Sequence, residues 1–470
     1  MVIKNCVFCK RLHLRLSYTQ NKGDPLERFN MKKSIKIAAA TATVAMAVAG
    51  FGAIAPASAT SAVEITVWAM QGQPGEVTAA QQEVAGFNKA YAGKYHATLS
   101  FKDNMGTTLD STNVGDLPDA FEFDGETLAH QVYNGKLAQL DGLVSKSTFA
   151  NELTSIKAEG TYSDGHSYSV SQFDSGLTLW GNKAMLKAAG ITAPTTWQKA
   201  WTASQFTTVL KKLAAKAPGG KAIDFKENYG IGGGWAGYAF TNIVNSVGNH
   251  LVHYNHGVAD KATGYMNAPK VAAALKTFAS WKKYSDPSND DKAFTDGRVA
   301  LAWVGHWAAP SIFSSLGRKN VELIPLPDFG QGTKSGQGSH SWAISAGSKH
   351  KTAAAVFLQF ITSDKWILNL TKQNGAVPAT KTSLNKNADY KKGGILYLYR
   401  SQLEASCGIA APTKKCVTVP RTITAGWPTI NTAYSTAVKA AWDGADPQTA
   451  LDTAASTIDQ NLSDNNNYIN

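Results

Sequence analysis

The sequence holds twelve tryptophans, all beyond residue 60, and several stand where a strand or a glycine-rich turn ends. Trp307 closes the segment from Phe294 to Trp307. There Asp296 and Gly297 are turn chemistry, Val299 to Val304 reads as a buried strand, and Gly305 lets the backbone approach whatever His306 and Trp307 face. Trp235 lies in the glycine-rich aromatic stretch Tyr229 to Phe240, read as a loop, and Trp427 stands between Gly426 and Pro428 just ahead of a helix. Aromatic faces at such ends can support the apolar C–H face of a sugar ring, whose hydroxyl rim then needs carboxylates, amides or imidazoles. Asp124 follows a strand directly, Asp174 interrupts an extended run, Gln71 and Gln73 lie in the loop after the first strand, and His306 and His340 stand at strand ends. Phe123, Gln172 and Trp342 flank these positions and complete the candidate ligand contacts. Each has a plainer reading. A Trp can cover the end of a sheet, Asp-Gly and Asp-Ser-Gly are ordinary turn formers, and a lone His is more often structural.

Other chemistry finds little support. The sequence has no Ser/His/Asp order, no H-E-x-x-H, no phosphate-binding glycine loop and no metal-ligand cluster, so no catalytic residue, cofactor or metal is expected. Asp124 and Asp174 could be imagined as the carboxylate pair of a glycoside hydrolase, which is the enzymatic alternative.

The elements that would position these residues alternate. Glu64 to Trp68 predicts a strand, and Glu76 to Tyr91 a helix with Val77, Ala80, Val84, Phe87 and Tyr91 on one stripe. Strands over 96–102 and 119–123 follow, then a helix over 126–134 ended by Gly135. This order predicts an α/β lobe with a mainly parallel sheet. The extended run from Tyr168 to Leu179, broken at Asp174 to Gly176, suits a chain crossing between two lobes. Helices are expected over 203–215, 269–284, 351–361 and 427–462, the last with a turn at Gly444 to Pro447, and Trp281, Trp366 and Trp442 fall inside helices as core residues.

The amino-terminal segment reads as processing rather than structure. From Met31, Lys32, Lys33 and Lys36 precede an apolar Ala-rich run, and Ala57-Ser58-Ala59 forms an A-x-A site, so 31–59 is expected to be a signal peptide. Residues 1–30 are expected to be a non-native extension ahead of it. Residues 1–59 hold nine Lys/Arg against two Asp/Glu, so the formal charge falls from +12 to +5 without them. No concentrated basic face remains, which argues against a nucleic-acid partner. Cys6 and Cys9 have no second pair to make a zinc site. In an exported chain, Cys407 and Cys416 are expected to form a disulfide around a surface loop. No cysteine stands at the cleavage site, so no lipid anchor is expected. No later segment is long and apolar enough to span a membrane.

With these elements in place, the sequence resembles the extracellular solute-binding proteins of ABC importers, in the family that includes maltose-binding protein and other oligosaccharide binders. The resemblance runs through Ile65 to Trp68, Leu117 to Gly125, Asn134 to Asp141, Phe294 to Trp307, Ile324 to Pro327, Ser341 to Ser345, Ala353 to Ile361 and Asn374 to Pro378. It implies a two-lobe periplasmic-binding-protein fold of type II, each lobe a mainly parallel sheet flanked by helices, joined by crossing hinge strands. Carried onto this sequence, lobe one is 60–171 and 344–395, and lobe two is 175–340 and 420–470. The implied function is capture of a carbohydrate, in particular an oligosaccharide, in the interlobe cleft by an exported monomer, and delivery to a membrane permease. The same fold could hold a polyamine, whose site also wants carboxylates among aromatics. The glycine and tryptophan loops favour sugar.

Overall fold

Alternating side chains explain the first lobe. The computed structural model describes residues 61–408 and 410–469, so the expected extension and signal peptide lie outside the described residues. In β1 (Val63–Met70), Ile65, Val67 and Ala69 enter one apolar cluster, while Trp68 and Met70 pack on another on the opposite face. Numbered along the chain, the first sheet runs β2 (Tyr95–Lys102), β1, β3 (Ala120–Asp124), β13 (His340–Ile344) and β4 (Val170–Ser171). The helices Pro74–Ala90 and Lys351–Ile361 cover one face, where Phe87 meets Phe357 edge to face at 5.2 Å.

The second sheet runs β11 (Val321–Ile324), β6 (Leu177–Asn182), β10 (Leu301–Gly305) and β7 (Ile223–Asp224). Every residue of β10 is buried, as its unbroken apolar run predicts, because cores cover both faces. Leu301 and Trp303 point into one cluster, and Ala302 and Val304 into the other. Trp281, Trp366 and Trp442 are all buried.

Both sheets are mixed where the sequence predicts mainly parallel ones. β1 is parallel to β2 and β3, but β13 is antiparallel to β3 and β4. β10 is parallel to β7, but β6 is antiparallel to β10 and β11. β6 and β13 are the strands that arrive from the opposite lobe, so their direction is set by the crossing and not by a helical return.

Two short pairs, β5 (Phe173–Asp174) with β14 (Val377–Pro378) and β12 (Ser335–Gln337) with β15 (Thr418–Pro420), lie near the crossings, and β8 (His253–Asn255) with β9 (Val258–Lys261) forms an outer hairpin. Beyond β14 the chain departs from the expected range of 344–395 for lobe one. Tyr390, Leu396 and Tyr399 pack with Trp180, Val304 and Ile312 around the second sheet. Cys407 and Cys416 form a disulfide. Among the described residues no helix is long and apolar enough to cross a membrane.

Candidate ligand-binding cleft

In open α/β sheets, loops at the carboxyl ends of parallel strands meet the ligand. Here the loop after β1, residues Met70 to Glu76, the segment Asp103 to Asp110 after β2, and Asp124 to Thr127 after β3 form one wall of a cleft of about 750 Å³. The crossing segments supply Phe173, Ser175, Ser339, His340 and Arg421. Tyr229, Trp235, Tyr238, His306, Trp307 and Trp427 form the other wall, from the second lobe. Such a volume is ordinary for a small-molecule site. A second cavity, of about 840 Å³, shares Glu126 and Arg421 with the cleft but none of the aromatic side chains line it.

The aromatic wall is a braced assembly. Trp307 meets Trp235 edge to face at 6.0 Å and lies 6.1 Å from Tyr238. Trp235 is 8 % exposed, its indole N–H donates to the Phe225 carbonyl at 3.0 Å, and Tyr229 meets it edge to face at 5.3 Å. Trp235 is thus a prop, and the half-buried Trp307 is the ring with area left to offer. Gly305 makes this possible, since a Cβ there would overlap the Trp307 ring. The stretch expected to be a loop contains a helix, Gly234–Ala239, whose Gly237 touches Asn431 so closely that any Cβ would clash. That contact seats the helix Trp427–Trp442, with Asn431 and Thr432, against the cleft. Trp427 itself is 2 % exposed and packs mainly in the core.

The polar groups divide by burial. His306 is 1 % exposed, and burial depresses its imidazolium to about 4, so the ring is neutral near pH 7. Its Nδ1 lies 3.1 Å from the Asn374 carbonyl, which only an N–H can satisfy, so Nε2 accepts from the Ser175 hydroxyl at 3.1 Å. Ser175 in turn accepts from the Tyr238 hydroxyl at 2.8 Å. The relay ties the aromatic wall, through a crossing segment, to the helix Asp364–Asn374.

His340 behaves oppositely. Burial works against its charge, but the hydrogen bond and charge of Glu122, 3.1 Å away, with Asp124 and Glu76 nearby, outweigh it and hold the imidazolium up to about 10. Asp124 lies 3.7 Å from the same ring and keeps a half-exposed side chain. Arg421 Nη1 stands 2.6 Å from Glu126 Oε1, and its guanidinium lies 5.0 Å from the centre of the Tyr238 ring.

The structure therefore brings together Gln71, Gln73, Asp124, Trp235, His306, Trp307, His340 and Trp427. Four expected contacts lie elsewhere. Asp174 is fully buried, and its Oδ1 accepts from the N–H groups of Ser175 at 2.7 Å and Gly338 at 3.4 Å. It binds two crossing segments together, the turn-forming role open to it from the start. Gln172 donates to Glu83 at 2.6 Å and to the Ile361 carbonyl at 3.0 Å. Phe123 and Trp342 alternate into the first lobe's cores, against Phe121 and Phe357. Sequence reasoning missed Tyr238, three residues after Trp235 on one short helix, as well as Tyr229, Glu126 and Arg421.

Two α/β lobes, three crossings and a polar-to-aromatic cleft at the strand ends define a binding protein that holds a small solute between its lobes. The chain belongs to the bacterial extracellular solute-binding proteins, whose family profile matches residues 82–396. It is 27% identical to the diacetylchitobiose binding protein DasA of Streptomyces coelicolor over 350 residues, covering 69% of this chain and 76% of DasA. Among solved structures, the GacH receptor of Streptomyces glaucescens, determined unliganded and with acarbose, has a TM-score of 0.65 at 19% identity, covering 86% of this chain and 98% of GacH. The maltose/maltodextrin-binding domain MalE of Bdellovibrio bacteriovorus, bound to maltotriose, has a TM-score of 0.68 at 16% identity, covering 85% of this chain and all of that one at 100%.

Proposed function

We propose that this protein is the extracytoplasmic substrate-binding component of an ABC importer, capturing a carbohydrate, in particular an oligosaccharide, between its lobes and delivering it to a membrane permease. The observation that supports this best is Trp307, half-buried and braced at 6.0 Å by Trp235, in a cleft whose opposite wall carries Asp124, Gln71 and Gln73. One wall suits a sugar's C–H face and the other its hydroxyls. DasA, GacH and MalE are described with diacetylchitobiose, acarbose and maltotriose, which favours a carbohydrate here too.

Binding without turnover fits the geometry better than hydrolysis. A glycoside hydrolase needs two carboxyl groups across the scissile bond, but Asp174, the imagined partner of Asp124, is buried away from the cleft, and the carboxyl groups that do line it, such as Glu76 and Asp110, stand on the same wall as Asp124. Export as a monomer, closure about the crossings on binding, and recognition of the closed form by the permease complete the reading. The test is a titration of intrinsic tryptophan fluorescence and melting temperature against mono- and oligosaccharides, followed by recovery of the sugar. Saturable quenching, a raised melting temperature and intact sugar are expected. Consumption of the sugar, or no response to any, overturns the proposal.

A further inference from the structure

The last turn of the helix Asp364–Asn374 touches both walls of the cleft. Gly375 ends that helix in a left-handed conformation, φ 68°, which a side chain would strain. A Cβ there would also stand 2.7 Å from the His306 carbonyl oxygen and 2.9 Å from the Ala309 Cβ, so the helix end is seated on the turn that follows β10. On its other side, a Cβ at Gly75 would stand 2.6 Å from the Gln373 carbonyl oxygen. Gly75 lies in the first turn of the helix Pro74–Ala90, directly after the loop that carries Gln71 and Gln73 into the cleft. Two glycines thus bring one helix end against each wall.

Asn374 turns that contact into a link. It is 1 % exposed and does not line the cleft. Its amide is oriented by its partners, since Oδ1 accepts from the Ala376 N–H at 2.9 Å and Nδ2 donates to Glu76 Oε1 at 3.1 Å. The other carboxylate oxygen of Glu76 accepts from the Gln73 N–H at 2.8 Å, which fixes the backbone of the glutamine loop. The Asn374 carbonyl accepts from His306 Nδ1, the first step of the relay through Ser175 to Tyr238. The His306 ring also meets Trp307 edge to face at 5.4 Å. An Asx turn, the ordinary use of Asn at a helix end, accounts for the bond to Ala376 but not for the bond to Glu76. That second bond joins the loop that offers amides to the ring that offers a platform.

Resting on the carbohydrate reading above, we propose that Asn374 is a positioning residue for sugar binding, holding the glutamine loop of lobe one and the Trp307 platform of lobe two in one register. A sugar ring stacked on Trp307 then meets the amides of Gln71 and Gln73 at a set height. The link serves selection as well as affinity. Walls held in register favour the sugar whose hydroxyls lie at that height, whereas two independent walls would adapt to several.

The experiment reads the platform from the far side of the link. Fluorine NMR of the protein carrying fluorotryptophan is recorded without ligand, the Trp307 signal being identified by its loss in Trp307→Phe. Asn374→Asp keeps the carbonyl that His306 uses but sets an acceptor against Glu76 Oε1, so the Trp307 signal is expected to move although residue 374 does not line the cleft. Glu76→Gln cuts the same link from the other end, because an amide accepts at only one of its two atoms, and it keeps the test decisive if the first variant melts early. It should move the signal in the same way, and the double variant should move it no further than one change alone. Calorimetric titration with the sugar panel above, diacetylchitobiose and maltotriose included, should show affinity falling about two- to thirtyfold in Asn374→Asp. A Trp307 signal unchanged in both variants overturns the link, since a helix cap that serves only stability lowers the melting temperature and leaves that signal in place. A moved signal with unchanged sugar affinity overturns the positioning role. No response of the parent to any sugar overturns the carbohydrate reading and the positioning role with it, while the Trp307 signal still decides whether the walls are joined.

Discussion

The two walls of the cleft are built on opposite principles. The first-lobe wall is made of loops at the ends of β1, β2 and β3, and most of its acids and amides are exposed or half-buried. The second-lobe wall is a continuation of a hydrophobic core. Trp235 and Trp427 belong to the cluster that includes Phe240, Phe278 and Trp303, and the partly buried Tyr229, Tyr238 and Trp307 pack against it. A loop wall can exchange polar groups at little cost to folding, whereas an aromatic wall that is also core cannot be altered without consequence for the lobe. On the proposed binding function, the rigid area of lobe two would supply most of the affinity, and the polar loops of lobe one the discrimination among polar groups.

Removing the exposed platform tests that division most severely. Trp307→Ala should weaken binding of the cognate sugar by about 2–3 kcal/mol, roughly 30- to 150-fold, with a modest loss of stability because the ring is only half-buried. Titration with a melting curve on the same sample separates the two. An affinity within about threefold of the parent, in a folded variant, would shift the weight to the loop wall. Gly305→Ala reaches the same ring indirectly. The added methyl would meet the Trp307 ring, and crowding of that kind costs about 1–3 kcal/mol, so the ring should swing out and affinity fall about tenfold. Near-ultraviolet circular dichroism of the free protein should change with it, and an unaltered aromatic signal would argue against displacement. Tyr238→Phe is milder. It deletes the hydroxyl that donates to Ser175, and the melting temperature should reflect about 1 kcal/mol while ring stacking persists. A stability loss above about 3 kcal/mol would mean the relay holds the lobes together more firmly than one neutral hydrogen bond can.

The same contrast governs what the sequence discloses. β10 and the helix Lys351–Ile361 are legible because an unbroken apolar run or a helical stripe reports burial directly. Trp307 and His306 are legible as strand-end residues for the same reason. The helix Gly234–Ala239 is hidden, since its glycines look like a loop and their use, close approach to Asn431, depends on a helix two hundred residues away. Asp174 misleads because a turn-forming acid and a ligand-binding acid are spelled alike, and only the position of Gly338 distinguishes them. Glu126 and Arg421 meet through a crossing nearly three hundred residues later, which no local pattern encodes. The antiparallel strands β6 and β13, and the packing of Tyr390 and Tyr399 on the second sheet, are likewise consequences of where the chain crosses.

Between the walls, the acids around Arg421 offer the most specific test, one that leaves the platforms untouched. Burial raises Glu159 to about 8, with Arg421 opposing and Asp174 and Glu126 reinforcing, while its carboxyl accepts from the Ser339 N–H at 3.2 Å. An acid whose folded value lies above its unfolded one binds protons on folding. Its contribution to stability is therefore complete at low pH and lost as pH rises from the ordinary carboxylate range through about 8. Glu126, at about 7, acts in the same sense, and His340, at about 10, loses its contribution over a higher window beginning near the ordinary histidine range. The melting temperature should fall as pH rises from about 5.5 to about 8.5. Glu159→Gln cannot titrate and should flatten that slope by about 1–2 kcal/mol, a few degrees at most. The variant should gain stability relative to the parent at the alkaline end and match it at the acid end, because the protonated acid and the amide are close in shape. A slope identical to the parent's would mean that Glu159 titrates as an ordinary carboxylate, and that water reaches the junction of the two walls.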